Sequence, residues 1–200
     1  MNNHASKAKT KLGLSRQLIT CAIMSGLAVA VILIFQQKPY WPTLFFGMYL
    51  PTQVAIGLAL GSLYWICATL GYKFAAGRKS VRHIAESYSR LDLTGWNPLW
   101  IALAAGFGEE LLFRGALQPA LGIWATSVLF VLAHIQAYRF NGLNKRVLIQ
   151  SLGIFAVSVV FGYIAQYVGL IAVIIVHTSM DIVGLYTIRQ AAHVTATAAT

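Results

Sequence analysis

From Gln17 to Phe35 the chain carries no charged residue, and about 20 apolar residues are what one helix needs to cross the hydrocarbon core of a bilayer. Runs of the same kind recur. They cover about Thr52 to Gly71, Pro98 to Ala120, Leu121 to Tyr138, Val147 to Tyr167 and Leu170 to Ile188. Backbone N–H and C=O groups cannot stay unpaired in lipid, so such runs must close their hydrogen bonds internally as helices. The fold expected is an all-α, polytopic membrane helical bundle with about six transmembrane helices. With 200 residues, 58% of them hydrophobic and 10% charged, the length suits one bundle rather than two domains. The first run is too long for a signal-peptide core and reads as a permanent anchor.

The formal net charge of +10 would suit a nucleic-acid partner, but the basic residues sit between the spans. There they act as topology signals and as contacts for anionic lipid, so the bilayer is the partner and nucleic acid is not. With the amino terminus cytoplasmic, thirteen Lys and Arg fall on the inside. They are Lys7, Lys9, Lys11 and Arg16, then Lys73, Arg78, Lys79, Arg82 and Arg90, then Arg139, Lys145 and Arg146, and finally Arg189. Outside connections hold Lys38 alone, and Arg114 lies within a span. That bias places both termini in the cytoplasm, and the location expected is a bacterial plasma (inner) membrane. Residues 1–15 read as a basic tail, 16–190 as one membrane domain, and 191–200, rich in Ala and Thr, as a disordered tail.

Within this frame the polar connection from Tyr72 to Asn97 stands out, and Val81 to Leu93 can form a short helix on the membrane surface. Tyr40, Trp41, Trp96 and Trp100 suit the membrane interface. Pro51 leaves open whether the second span starts before or after it. Cys21 and Cys67 lie in apolar spans with no paired spacing, so neither a disulfide framework nor a metal site is indicated.

Only five acidic residues occur in the chain, and two of them, Glu109 and Glu110, are adjacent in the apolar run Gly106 to Arg114. An ionised carboxylate in hydrocarbon is costly, so an intramembrane pair marks a functional site by default. On a helix Glu110 and Arg114 share a face, while Glu109 points about 100° away. Arg114 therefore neutralises Glu110 more readily and leaves Glu109 free to act on something else. Ala102, Ala104, Ala105, Gly106 and Gly108 would let a neighbouring helix come close. Two further spans carry pairs of interest at helical spacing, the apolar Phe130 with His134 and the polar His177 with Asp181. A glutamate and two histidines converging in a bundle can hold and deprotonate a water where water is otherwise scarce. Counted from the span boundaries, however, Glu109 lies about 18 Å from the cytoplasmic edge and His134 nearer to it.

The patterns E-E-L-L-F-R at 109–114, F-V-L-A-H at 130–134 and H-T-S-M-D at 177–181 resemble, in order, those of the CAAX-protease and bacteriocin-processing (Abi) family of intramembrane proteases. The resemblance covers roughly Asn97 to Ile188. It implies a glutamate-type peptidase with no obligatory metal or other cofactor, acting on a peptide or protein substrate at the membrane. By analogy Glu109 with His134 activates the attacking water, His177 and Asp181 stabilise the oxyanion, and Glu110 and Arg114 support them. Best-known CAAX-cleaving members carry Asn where this chain has Asp181. An ionised Asp cannot donate to an oxyanion, so it must be protonated or must orient His177 by accepting its proton.

Three other readings stand beside this one. Two histidines and a glutamate are legitimate zinc ligands, which keeps metal-dependent hydrolysis in play. A non-catalytic bacteriocin-immunity or partner-binding role would retain the same charges for folding. Intramembrane Glu and His also build proton relays in transporters, although no internal repeat divides this chain into halves.

Overall fold

In the computed structural model of the protein, residues 13–37, 42, 44–75, 91–134 and 145–197 are described. Helices form where the apolar runs predict them: α1 (Leu14–Val31), α2 (Leu50–Ala75), α3 (Asn97–Glu110), α4 (Gln118–His134), α5 (Lys145–Tyr167) and α6 (Leu170–Thr197). Two π-helical stretches, Ile32–Gln36 and Leu111–Leu117, extend α1 and join α3 to α4. No β-strand occurs among the described residues. Pro98 sits in the first turn of α3 and Pro51 in the first turn of α2. At such positions the missing N–H costs nothing. The second span therefore starts before Pro51. The surface helix expected at Val81 to Leu93 falls mostly outside the described residues, as do Tyr40 and Trp41.

Among the described residues, five helical runs are long and apolar enough to cross a membrane, where about six spans were expected for the chain. The third and fourth expected spans are two arms of one run, Asn97–His134, 38 residues long. That run would measure about 57 Å if straight, nearly twice the bilayer core. It does not stay straight. Gly122 has φ 76° and ψ 170°, a conformation that glycine adopts readily and other residues do not, and the chain reverses there. Pro119 weakens the helix just before the reversal, because it has no N–H for the Gly115 carbonyl four residues back. The Gln36 side-chain amide lies 3.3 Å from that oxygen and donates to Ala116 O at 2.8 Å, so α1 supplies what the proline cannot.

Side chains such as Leu63, Trp65 and Leu152 are more than half exposed. On a water-soluble surface they would drive aggregation, whereas in lipid they are solvated. This is an integral membrane protein, and its interior is where the polar residues go. At one end Ile101, Ala102 and Leu185 are buried, with Leu14, Leu91, Leu93 and Ile182 packed on them. The beginnings of α1 and α3 and the later turns of α6 therefore lie on one side. Toward the other end a larger cluster buries Ile32, Leu111, Ala116, Phe161, Leu170 and Val173. Fully buried Gln53 clasps that end, donating to Phe46 O at 3.0 Å and Met48 O at 2.8 Å and accepting from Ile171 N at 3.1 Å.

Close approach of α3 to its neighbours depends on absent side chains. A Cβ on Gly108 would stand 3.1 Å from the Cys21 Cα of α1, and one on Gly106 would collide with Thr178 Oγ1 of α6. The Ala102 to Gly108 stripe thus lets two helices grip α3 just before the glutamates. The final helix continues to Thr197, into the segment expected to be disordered. Its Ala residues carry the highest helix propensity, which favours continuation.

A backbone-only test of the reversal is available, because a Cβ on Gly122 or on Gly153 would meet nothing within 4 Å. Gly122→Ala is expected to destabilise the protein by about 1–3 kcal/mol through its positive φ. Gly153→Ala, inside α5, is expected to be neutral or to stabilise by up to about 1 kcal/mol. Thermal unfolding in detergent, wild type against each variant, measures both.

Candidate active site

Reversal at Gly122 brings two motifs to the same depth. Glu109 and His134 lie 13 and 12 residues from that turn, about 18–20 Å along their arms, so they are level with each other. Measured from the membrane edge they looked mismatched, because the folded run is not two spans with separate edges. Phe113 and Phe130, nearer the turn, face each other at 5.0 Å between ring centroids.

Glu110 and His177 form the buried centre. The Glu110 carboxylate is fully buried, and its Oε1 accepts from His177 Nδ1 at 2.7 Å. Its Oε2 lies 3.1 Å from Arg114 Nε, with Arg114 itself only 1% exposed. Arg114 Nη2 donates to the Ser158 backbone oxygen at 3.1 Å and to Ser158 Oγ at 2.9 Å. Around the guanidinium stand the rings of Phe130, Phe161 and Phe113, at 4.6, 5.6 and 5.9 Å from Cζ to ring centroid. A cation packed against π faces in a site without water is stabilised by the ring quadrupoles. The expected i, i+4 pairing of Glu110 with Arg114 is present. The same carboxylate also orients His177, a part that the spacing of 109–114 does not reveal.

Glu109 faces the other way, toward the two histidines. Its Oε2 lies 3.5 Å from His134 Nε2 and 4.0 Å from His177 Nε2. His177 thus presents Nδ1 to one glutamate and Nε2 to the other. The His134 ring is held from behind as well, since its Nδ1 lies 2.7 Å from the Phe130 carbonyl oxygen. A carbonyl only accepts, so Nδ1 carries the hydrogen, and in the neutral ring the Nε2 lone pair points toward Glu109. Asp181 completes the group, with Oδ2 3.7 Å from His177 Nε2. It faces the Nε2 edge of the ring, while the Nδ1 edge that would set the ring's orientation belongs to Glu110.

All six residues singled out from the sequence, Glu109, Glu110, Arg114, His134, His177 and Asp181, therefore belong to one cluster. Exposure divides them: side chains of Glu109, His134 and Asp181 are 19%, 17% and 33% exposed, while Glu110 and Arg114 are sealed. Ser158 and Phe161 were not legible in the sequence, because a lone Ser or Phe in an apolar helix carries no distinguishing pattern. Phe130, noted in the sequence only for its spacing from His134, holds that histidine through its carbonyl and packs its ring against Arg114. Among the described residues no group of three or more His, Cys, Asp or Glu is arranged to hold a metal ion.

Residues 92–183, which include the whole cluster, match the family model described as Type II CAAX prenyl endopeptidase Rce1-like. This segment, a little under half of the chain, is similar to that family of membrane endopeptidases. A relative from Bacillus subtilis (strain 168), named Uncharacterized protein YpbD, is 32% identical over 71 residues, 36% of this chain and 34% of that protein. The match therefore spans about a third of that relative's length. No solved structure matches the chain. Within the matched segment the three motifs lie on α3 with its π extension, on the returning arm α4, and on α6.

The sealed pair and the open glutamate differ in what removal would cost. Arg114→Leu strands a buried carboxylate and is expected to destabilise by about 3–5 kcal/mol, with the double variant Arg114→Leu, Glu110→Leu recovering most of the loss. Glu109→Gln, at the partly exposed position, is expected to change stability by less than about 1 kcal/mol. Denaturant unfolding in detergent reports all three.

Proposed function

We propose that the protein is a CAAX-type intramembrane endopeptidase in which Glu109 and His134 activate a water molecule for attack on a peptide bond. The reading is carried by one observation: Glu109 Oε2 faces the Nε2 atoms of two histidines, each tied back through its Nδ1. A water in contact with Glu109 Oε2 and His134 Nε2 gives its proton to Glu109 as its oxygen attacks the carbonyl carbon. The oxyanion accepts from Nε2 of His177 in its imidazolium form, whose Nδ1 remains on Glu110. Glu109 then passes the proton to the leaving amine as the C–N bond breaks, so the enzyme ends as it began. Asp181 lines the oxyanion side in its protonated form. The substrate is a peptide or protein at the membrane, and the membrane is the plasma membrane of a bacterium.

General acid–base groups contribute about 10²–10⁴-fold. In proteoliposomes, Glu109→Gln and His134→Ala are each expected to lower kcat/KM for a prenylated C-A-A-X-terminated peptide by that factor, with insertion unchanged. Full cleavage by both variants would sink the mechanism. Loss of cleavage with a chelator and its return with zinc would assign the water to a metal instead.

Asp181→Asn is expected to stay within about tenfold of wild type, because an amide donates as a protonated acid does. Asp181→Ala should lose more. If the two variants behave alike, Asp181 has no donor role. Peptides that accumulate in membranes of cells carrying Glu109→Ala would identify the natural substrate without any chosen probe.

A further inference from the structure

The Glu110–Arg114 pair does not adopt the geometry these side chains take when left to each other. A guanidinium commonly meets a carboxylate fork to fork, with two parallel N–H bonds to its two oxygens. Here Nε stands 3.1 Å from Glu110 Oε2, and neither atom completes an aligned hydrogen bond. The other prong of the fork, Nη2, is turned toward α5, where Ser158 takes it with both its backbone oxygen and its hydroxyl. A fork would have placed Nη2 on Glu110 Oε1. That oxygen instead accepts from His177 Nδ1 at 2.7 Å.

We propose that Ser158 is a positioning residue for His177: by holding Arg114 Nη2 it keeps the guanidinium off Glu110 Oε1 and reserves that oxygen for the imidazole. Ser158 is fully buried, and Phe161, three residues later on α5, bounds the same guanidinium at 5.6 Å and the His177 ring at 5.1 Å. Arg and His compete for one acceptor in a site that excludes water. The competition is decided by which helix holds the spare arginine nitrogen. With Ser158 in place, the charge of Arg114 stabilises Glu110 without displacing His177, and the Nε2 edge of the ring stays aimed at Glu109 and Asp181.

The functional consequence rests on the catalytic reading above, but the geometric one does not, so the two can fail separately. In a structure of Ser158→Ala without substrate, where the hydroxyl is gone and the backbone oxygen alone remains as acceptor on α5, Arg114 Nη2 is expected about 3 Å from Glu110 Oε1, with His177 Nδ1 more than about 3.5 Å from it. Ser158→Thr, which keeps a hydroxyl, is expected to restore the wild-type distances. For cleavage per folded molecule, Ser158→Ala is expected to lower kcat about tenfold, the size of one hydrogen bond's net contribution. KM should stay within about twofold, and Ser158→Thr should recover kcat. Should the Ala variant not fold, Ser158→Cys keeps the volume with a weak acceptor and is read the same way.

An Ala or Cys variant whose Arg114 stays on α5 and whose Glu110–His177 bond is intact overturns the proposal. So does an unchanged kcat with the fork formed. A wild type that cleaves nothing defeats the catalytic reading alone, and the structural arm still decides the role of Ser158.

Discussion

A carboxylate with no access to water, Glu110, shared between a guanidinium and an imidazole, is the constraint around which the bundle is arranged. Stripped of its partners, such an ion would cost several kcal/mol. Its two partners arrive from different directions. Arg114 comes from one turn further along the same chain segment, and His177 from a helix 67 residues later. For both to reach it, α6 must lie against α3 as closely as the Gly106–Thr178 contact allows. The arginine in turn brings in α5 through Ser158 and α4 through Phe130. One buried ion thus accounts for the convergence of four helical segments.

That arrangement leaves the carboxylate next door to other partners. Adjacent residues on a helix point about 100° apart, so Glu109 cannot share the pocket of Glu110 and turns to the histidines. His177 links the two glutamates, one through each ring nitrogen, which makes its orientation sensitive to the buried pair and its Nε2 edge common to the partly exposed one. His134 is held independently, through the Phe130 carbonyl. Glu110 and Arg114 are sealed, whereas Glu109, His134 and Asp181 keep partial exposure.

Much of this was legible beforehand because lipid permits so few structures. Apolar length predicts helices, and a charged residue inside such a length has to be paired or used, which pointed to Glu109, Glu110, Arg114, His134, His177 and Asp181. Helical spacing also divided the two glutamates correctly, since it depends only on 3.6 residues per turn. Spacing within a motif, however, says nothing of partners on other helices. It could not show that Glu110 orients His177, that Phe130 carries His134, or that Ser158 holds Arg114. The tail 191–200 was likewise judged on composition, and α6 runs on to Thr197.

By itself, then, the sequence determined the membrane class, the places of the helices and the short list of polar residues, because these follow from the cost of burying charge and unpaired backbone in lipid. The tertiary structure alone decided which of those residues meet. Gly122 turns a run of 38 residues back on itself and sets His134 level with Glu109, and missing side chains at Gly106 and Gly108 let α6 and α1 close on α3. Depth and rotation between helices are set by such contacts, made across the bundle between residues far apart in the chain, and no local pattern records them.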